Sequence, residues 1–93
     1  MYTILYHHLV VRDDISKLPR VWKKKIQRAI ELKLTTAPDM YGKPLRRSLK
    51  NYRKLRVGDY RVIYRIEDKK VKIFIIQHRS IVYTNSEKRT KVI

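Results

Sequence analysis

Ninety-three residues carry 24 lysines and arginines against 8 acidic residues, a formal charge of +16, with 43% of the chain hydrophobic. That is one domain, residues 1–93, with enough apolar content to fold around a single modest core and too much to stay disordered. The absence of cysteine excludes disulfides, thiol nucleophiles and thiolate zinc sites, as suits a reducing cytoplasm.

No apolar run reaches membrane-spanning length, and the opening residues form no signal-peptide pattern, so no membrane partner is expected. A charge this large on so small a domain calls for an anionic partner, nucleic acid first. Tyr2–His7 alternates apolar and polar residues and predicts a first strand. Asp13–Leu18 predicts a short helix, and Val10 and Val11 suit either element. Pro19 then fits the first turn of a new helix, where its missing N–H costs nothing. From Arg20 to Leu34 the apolar residues Val21, Trp22, Ile26, Ala29, Ile30 and Leu34 fall at helical spacing, opposite Lys23, Lys24, Lys25, Arg28 and Lys33. The apolar stripe should cover a sheet, with Trp22 as core. Thr35–Leu45 is a loop by its Pro and Gly content, and Arg46–Asn51 extends it with more positive charge.

Next, Tyr52–Ile66 alternates apolar and charged residues on both sides of Gly58-Asp59, the pattern of a hairpin with a type II′ turn. A two-residue loop sets Val57 opposite Tyr60, Arg56 opposite Arg61, Leu55 opposite Val62 and Lys54 opposite Ile63. Leu55, Val57, Tyr60, Val62 and Tyr64 then share a core face, and Lys54, Arg56 and Arg61 share the other. Two arginines directly opposite each other repel, and a local rule broken in this way marks either a functional face or the surface of a very basic protein. Glu67–Lys70 is a polar turn, and Val71–Gln77 is apolar enough for a strand buried on both faces. Thr84–Ile93 is a frayed tail or a short terminal helix. The expected fold is α+β, in the order β-α-α-β-β-β: two helices on one face of a four-stranded, mainly antiparallel sheet, with the first strand beside the last.

Candidate chemistry gathers at the basic face and the end of the last strand. Neither a Gly-rich phosphate loop nor a Ser/His/Asp set is present, and the acidic residues are too scattered for a two-metal nuclease. His7 and His8, adjacent on a strand, point to opposite sides and make a poor zinc set with His78. The remaining cationic and aromatic set is Lys54, Arg56, Arg61, His78, Arg79 and Tyr83. Cleaving RNA without a metal needs a base for the 2′-hydroxyl, cations for the phosphorane and an acid for the leaving oxygen. Arginine forks suit the phosphate, Tyr83 or a lysine can serve as base, and His78 can give or take a proton. Each also has a plainer use, as a rim aromatic, a strand-end residue or an ion-pair partner. With a two-residue loop at Asp68-Lys69, Ile76 falls opposite Arg61 and places His78 on the basic face; a longer loop or a twisted strand end places Arg79 there instead. Arg46, Arg47, Lys50 and Arg53 are further candidates for RNA contact.

Gly42-Lys43-Pro44-Leu45, the run Leu55–Tyr64, and His78-Arg79 followed by Tyr83 together resemble the RelE/ParE toxin superfamily, most closely its RelE branch. The likeness spans nearly the whole chain. It implies a type II toxin that enters the A site of the small ribosomal subunit, where it cuts translated mRNA without a metal or cofactor, and that is held in check by a cognate antitoxin. By the same resemblance Lys54 and Arg56 match the basic strand positions, Arg61 the phosphate-stabilising arginine, Arg79 the strand-end basic residue and Tyr83 the tyrosine near the C-terminus. Some members of the superfamily block DNA gyrase without cutting anything, which is the alternative function. A basic RNA-binding domain with no toxicity is a third.

Overall fold

The computed structural model describes residues 1–91. A five-stranded sheet forms its centre: β1 (Thr3–Tyr6), β2 (Lys43–Pro44), β3 (Arg53–Val57), β4 (Tyr60–Glu67) and β5 (Lys70–His78), in the spatial order β1-β5-β4-β3-β2. β1 lies parallel to β5, and the other pairings are antiparallel. The hairpin register is the one its alternation dictates, with Lys54 opposite Ile63, Leu55 opposite Val62, Arg56 opposite Arg61 and Val57 opposite Tyr60.

Between β1 and β2 the chain is helical. Val10–Asp14 winds in wide turns and Ile15–Lys17 in a tight one, after which α1 (Arg20–Ala29) runs on through Ile30–Leu34. Ile26, Ile30 and Leu34 pack with Leu55, Val62, Tyr64, Val71, Ile73 and Ile76 on one sheet face, with Trp22 and Tyr60 at the margin. Val21 is 60% exposed and lies outside that stripe.

Four strands with helices on one face is therefore a partial description of the fold. The Thr35–Leu45 loop holds a four-residue helix, α2 (Pro38–Tyr41), and the edge strand β2. So short an edge, ending in a proline, offers little to a stray strand. The second correction is α3 (Val82–Thr90), which packs on the opposite face: Val82 joins Ile63, Phe74 and Ile75 in a second cluster, with Leu45 and Tyr52 beside it. This is the helical outcome for the chain after Thr84; the final two residues of that stretch lie outside the described ones. No helix among the described residues is long and apolar enough to cross a membrane.

Two glycines are required by space. Gly58 turns the hairpin at φ +60, and a Cβ there would run into the Trp22 indole. Gly42 has ordinary extended backbone, but a Cβ would overlap the Tyr64 hydroxyl. That hydroxyl is buried and donates to the Pro38 carbonyl at 2.6 Å. Burial pushes its pKa up to about 12, although the nearby Arg53 pulls the other way. The folded value thus lies above the unfolded value of about 10, so the stabilisation is whole below about pH 10 and is lost as pH rises towards the folded value. Urea-unfolding midpoints measured across that alkaline window should fall more steeply for the parent protein than for Tyr64→Phe. Equal slopes would show that Tyr64 titrates no differently when folded.

An irregularity in β5 decides which residues reach the functional face. Ile63 pairs with Ile75 but Tyr64 pairs with Ile73, so Phe74 is an extra residue, a β-bulge. Beyond it the register has moved by one: Arg61 lies opposite Gln77 and Tyr60 opposite His78. The two-residue loop at Asp68-Lys69 is present, with Glu67 paired to Lys70. The pairing of Ile76 with Arg61 that follows from it in an unbroken strand is nevertheless undone by the bulge.

β1 covers only Lys70–Ile73 of its edge of β5. Further along, the Phe74 carbonyl accepts from Arg89 Nη1 at 3.0 Å, and the Ile76 N–H donates to Asp14 Oδ2 at 3.0 Å. Asp14 and Arg89 are joined to each other at 2.8 and 3.1 Å, with side chains only 1% and 10% exposed. The pair thus supplies partners to backbone groups that would otherwise be buried alone.

Candidate active site

The basic face of the β3–β4 hairpin, the end of β5 and the first turn of α3 enclose a cleft of about 460 Å³ lined by Lys54, Arg61, His78, Arg79, Ser80 and Tyr83. A second cleft of about 200 Å³ lies beside it, lined by Tyr41, Lys43, Lys54, Arg56 and Arg61. Lys54 and Arg61 belong to both, so Arg56 joins the set through a shared wall.

Each position has a local cause. Strand alternation places Lys54, Arg56 and Arg61 on one face. Arg56 and Arg61 stand directly opposite each other, like charges included. Arg61 turns Nη1 back onto the hairpin, donating to the Gly58 carbonyl at 2.9 Å and the Tyr60 carbonyl at 3.0 Å. This anchors one end of the guanidinium and leaves the rest of its donor fork for the cleft.

The bulge brings Arg79 to this face by parity, while His78 reaches the same cleft from the strand end. The Arg79 N–H donates to the Asp59 carbonyl at 2.8 Å, and its Nε lies 3.6 Å from Asp59 Oδ1 in an exposed ion pair. His78 Nδ1 accepts from the Ser80 N–H at 3.2 Å and lies 2.8 Å from Ser80 Oγ. A backbone N–H can only donate, so in the neutral ring the proton sits on Nε2. Tyr83 stands in the first turn of α3, where the helix dipole is positive, with Lys54 Nζ 5.6 Å from its ring centroid. The site is a cationic cradle with one phenol and one imidazole, suited to hold a phosphodiester and move protons around it.

The other expected contacts lie elsewhere. Arg46, Arg47 and Lys50 are exposed on the turn around Arg47–Leu49, which touches α3 where Ser48 Oγ meets Glu87 at 3.3 Å. Arg53 sits across from Tyr64 and donates to the Asp39 carbonyl at 2.6 Å. None of these four lines either cleft. Sequence reasoning missed Ser80, which orients His78, and Asp59, which pairs with Arg79 and read only as a turn residue. Tyr41 and Lys43 were equally hidden, because nothing in a Pro- and Gly-bearing loop shows that it folds back beside the hairpin.

A family model described as the ParE toxin of a type II toxin–antitoxin system, parDE, matches residues 2–83. Toxin RelG of Mycobacterium tuberculosis is 35% identical over 85 residues, covering 88% of this chain and 95% of its own. Toxin RelE of the same organism is 35% identical over 83 residues, covering 84% and 86%. The crystal structure of the M. tuberculosis toxin–antitoxin complex RelBE2 superposes with a TM-score of 0.77 at 34% identity, covering 85% of this chain and 92% of that one. A hairpin-borne basic cleft on a RelE-like sheet, in a chain that shares a third of its residues with two such toxins, belongs to the RelE/ParE superfamily of type II toxin–antitoxin toxins.

Proposed function

We propose that this protein is an mRNA endonuclease that acts on translating ribosomes, cutting the codon that occupies the A site. The observation that carries this reading is the convergence of Lys54, Arg61, His78, Arg79 and Tyr83 on one cleft. The substrate's 2′-oxygen attacks the adjacent phosphorus, the bond to the 5′-oxygen breaks, and the products are a 2′,3′-cyclic phosphate and a free 5′-hydroxyl. Tyr83 or Lys54 takes the proton from the 2′-hydroxyl. Arg61, assisted by Arg56, holds the charge that builds on the phosphorane, where fixed donors act most strongly. Arg79 or His78 attends the leaving oxygen, and His78 presents Nε2–H for it. No step calls for a group outside the chain.

A charge of +16 also demands an acidic partner off the ribosome. The M. tuberculosis relative RelBE2 was solved as a toxin–antitoxin complex, and a cognate antitoxin fills that place here. The ribosomal target puts the protein in the cytoplasm.

Translation of a defined mRNA in vitro, with cut sites mapped by primer extension, tests the proposal. Cuts at the A-site codon only when ribosomes are present are expected. Intact mRNA and normal translation would overturn the proposal and favour gyrase inhibition, the alternative to which the parDE description of the matching family model points. In that case a supercoiling assay should respond, and Tyr83→Phe should leave toxicity unchanged.

A further inference from the structure

We infer that the pocket on the far side of His78 receives an RNA base next to the scissile phosphate. This rests on the nuclease reading and adds a base subsite to it. The pocket, about 240 Å³, lies between the Asp14–Leu18 segment, the end of β5 and the start of α3. His78 is the one lining residue it shares with the phosphate cleft. A phosphate held in that cleft and a base in this pocket would thus lie on either side of one imidazole, as neighbouring parts of one nucleotide.

Its chemistry suits a base better than a phosphate. Leu18, Tyr60, Ile76 and Ile81 supply apolar and aromatic surface, and Lys17 supplies a cation. The amide orientations follow from one carboxylate. Asp14 Oδ1 accepts from Gln77 Nε2 at 3.1 Å, so Gln77 must turn Oε1 the other way, where it accepts from Asn85 Nδ2 at 2.7 Å. That leaves Asn85 Oδ1 as an acceptor, and among the described residues nothing donates to it. A plane of apolar contact with one fixed acceptor and one cationic donor suits a base, which presents an N–H beside a ring nitrogen or a carbonyl. All four bases qualify, uracil through N3–H beside its carbonyls, so the pocket takes a base without choosing among them.

The test uses binding, so it does not depend on cutting. Trinucleotides with 2′-O-methyl groups, which cannot be cleaved, are titrated into the full protein while the methyl resonances of Leu18, Ile76 and Ile81 are followed by NMR. One set carries adenine or cytosine at the centre, another uracil, and a third is abasic there. The base-bearing sets, uracil included, should shift those methyls and bind about tenfold more tightly than the abasic set, as one satisfied hydrogen bond in a partly enclosed site implies. Ile81→Trp, which plugs the mouth at a residue already 49% exposed, should remove the difference while the Arg61 side-chain resonances still respond. Methyls that stay put at millimolar oligonucleotide, or an abasic set that binds as tightly as the others, would overturn the inference. A protein that leaves mRNA intact yet shows these shifts would lose only its catalytic assignment; one that cuts without them would lose only the base pocket.

Discussion

Arg61→Ala should slow A-site cleavage by about 10²–10³-fold, the range seen when one preorganised donor to a developing oxyanion is removed. Arg61 is half-buried and held to its own hairpin by two carbonyls, so its donors are in place before the substrate arrives. Arg56 is exposed and lines only the neighbouring cleft, and Arg56→Ala should cost less. Arg61→Lys should recover a minor part of the rate, because an ammonium keeps the charge but not the planar fork. Tyr83→Phe separates proton transfer from packing: the ring, its exposed position and Lys54 above it all remain, and only the hydroxyl goes. Single-turnover cleavage of ribosome-bound mRNA measures all four variants, with thermal unfolding as the check on fold. Wild-type rates for Arg61→Ala and Tyr83→Phe together would remove both residues from the chemistry.

The largest loss of stability should come from Asp14→Ala. The change leaves the Arg89 guanidinium buried without its carboxylate, orphans the Ile76 N–H and releases Gln77 from its anchor. Breaking a buried ion pair from one side costs about 3–5 kcal/mol, a large share of the 5–15 kcal/mol that holds a typical domain together. Urea unfolding reads the total. Amide exchange at Ile76 reads the local part and should accelerate even where the rest of the sheet stays closed. Asp14→Asn keeps an acceptor for Ile76 and should lie between parent and alanine. An Asp14→Ala midpoint within error of the parent would mean that water replaces the carboxylate and that the pair closes nothing.

The hairpin was legible because one face is apolar and the other charged, so alternation and a Gly-Asp turn sufficed to place Leu55 opposite Val62 and Arg56 opposite Arg61. α1 was legible for the same reason, except at Val21, where a β-branched residue simply faces water. The bulge at Phe74 left no such mark. Val71 to Ile76 is apolar apart from Lys72, both faces are buried, and a strand without alternation carries no sign of a shifted register. His78 and Arg79 therefore could not be told apart in advance. α3 was hidden by its polarity, since its buried contacts are Val82, Ser86 and Arg89, and a buried arginine is legible only once its carboxylate is known. Asp14 itself gave one unused hint: beside Asp13 it interrupts an otherwise basic chain.

The Asp14–Arg89 bond joins residues 75 positions apart, and this ties completion of the fold to the order of synthesis. Asp14, the helices up to Leu34 and all five strands are synthesised while α3 is still untranslated. Until Arg89 emerges, the Phe74 carbonyl and the Asp14 carboxylate lack their partner, and Tyr83 has no docked helix to stand on. The cleft is therefore assembled last.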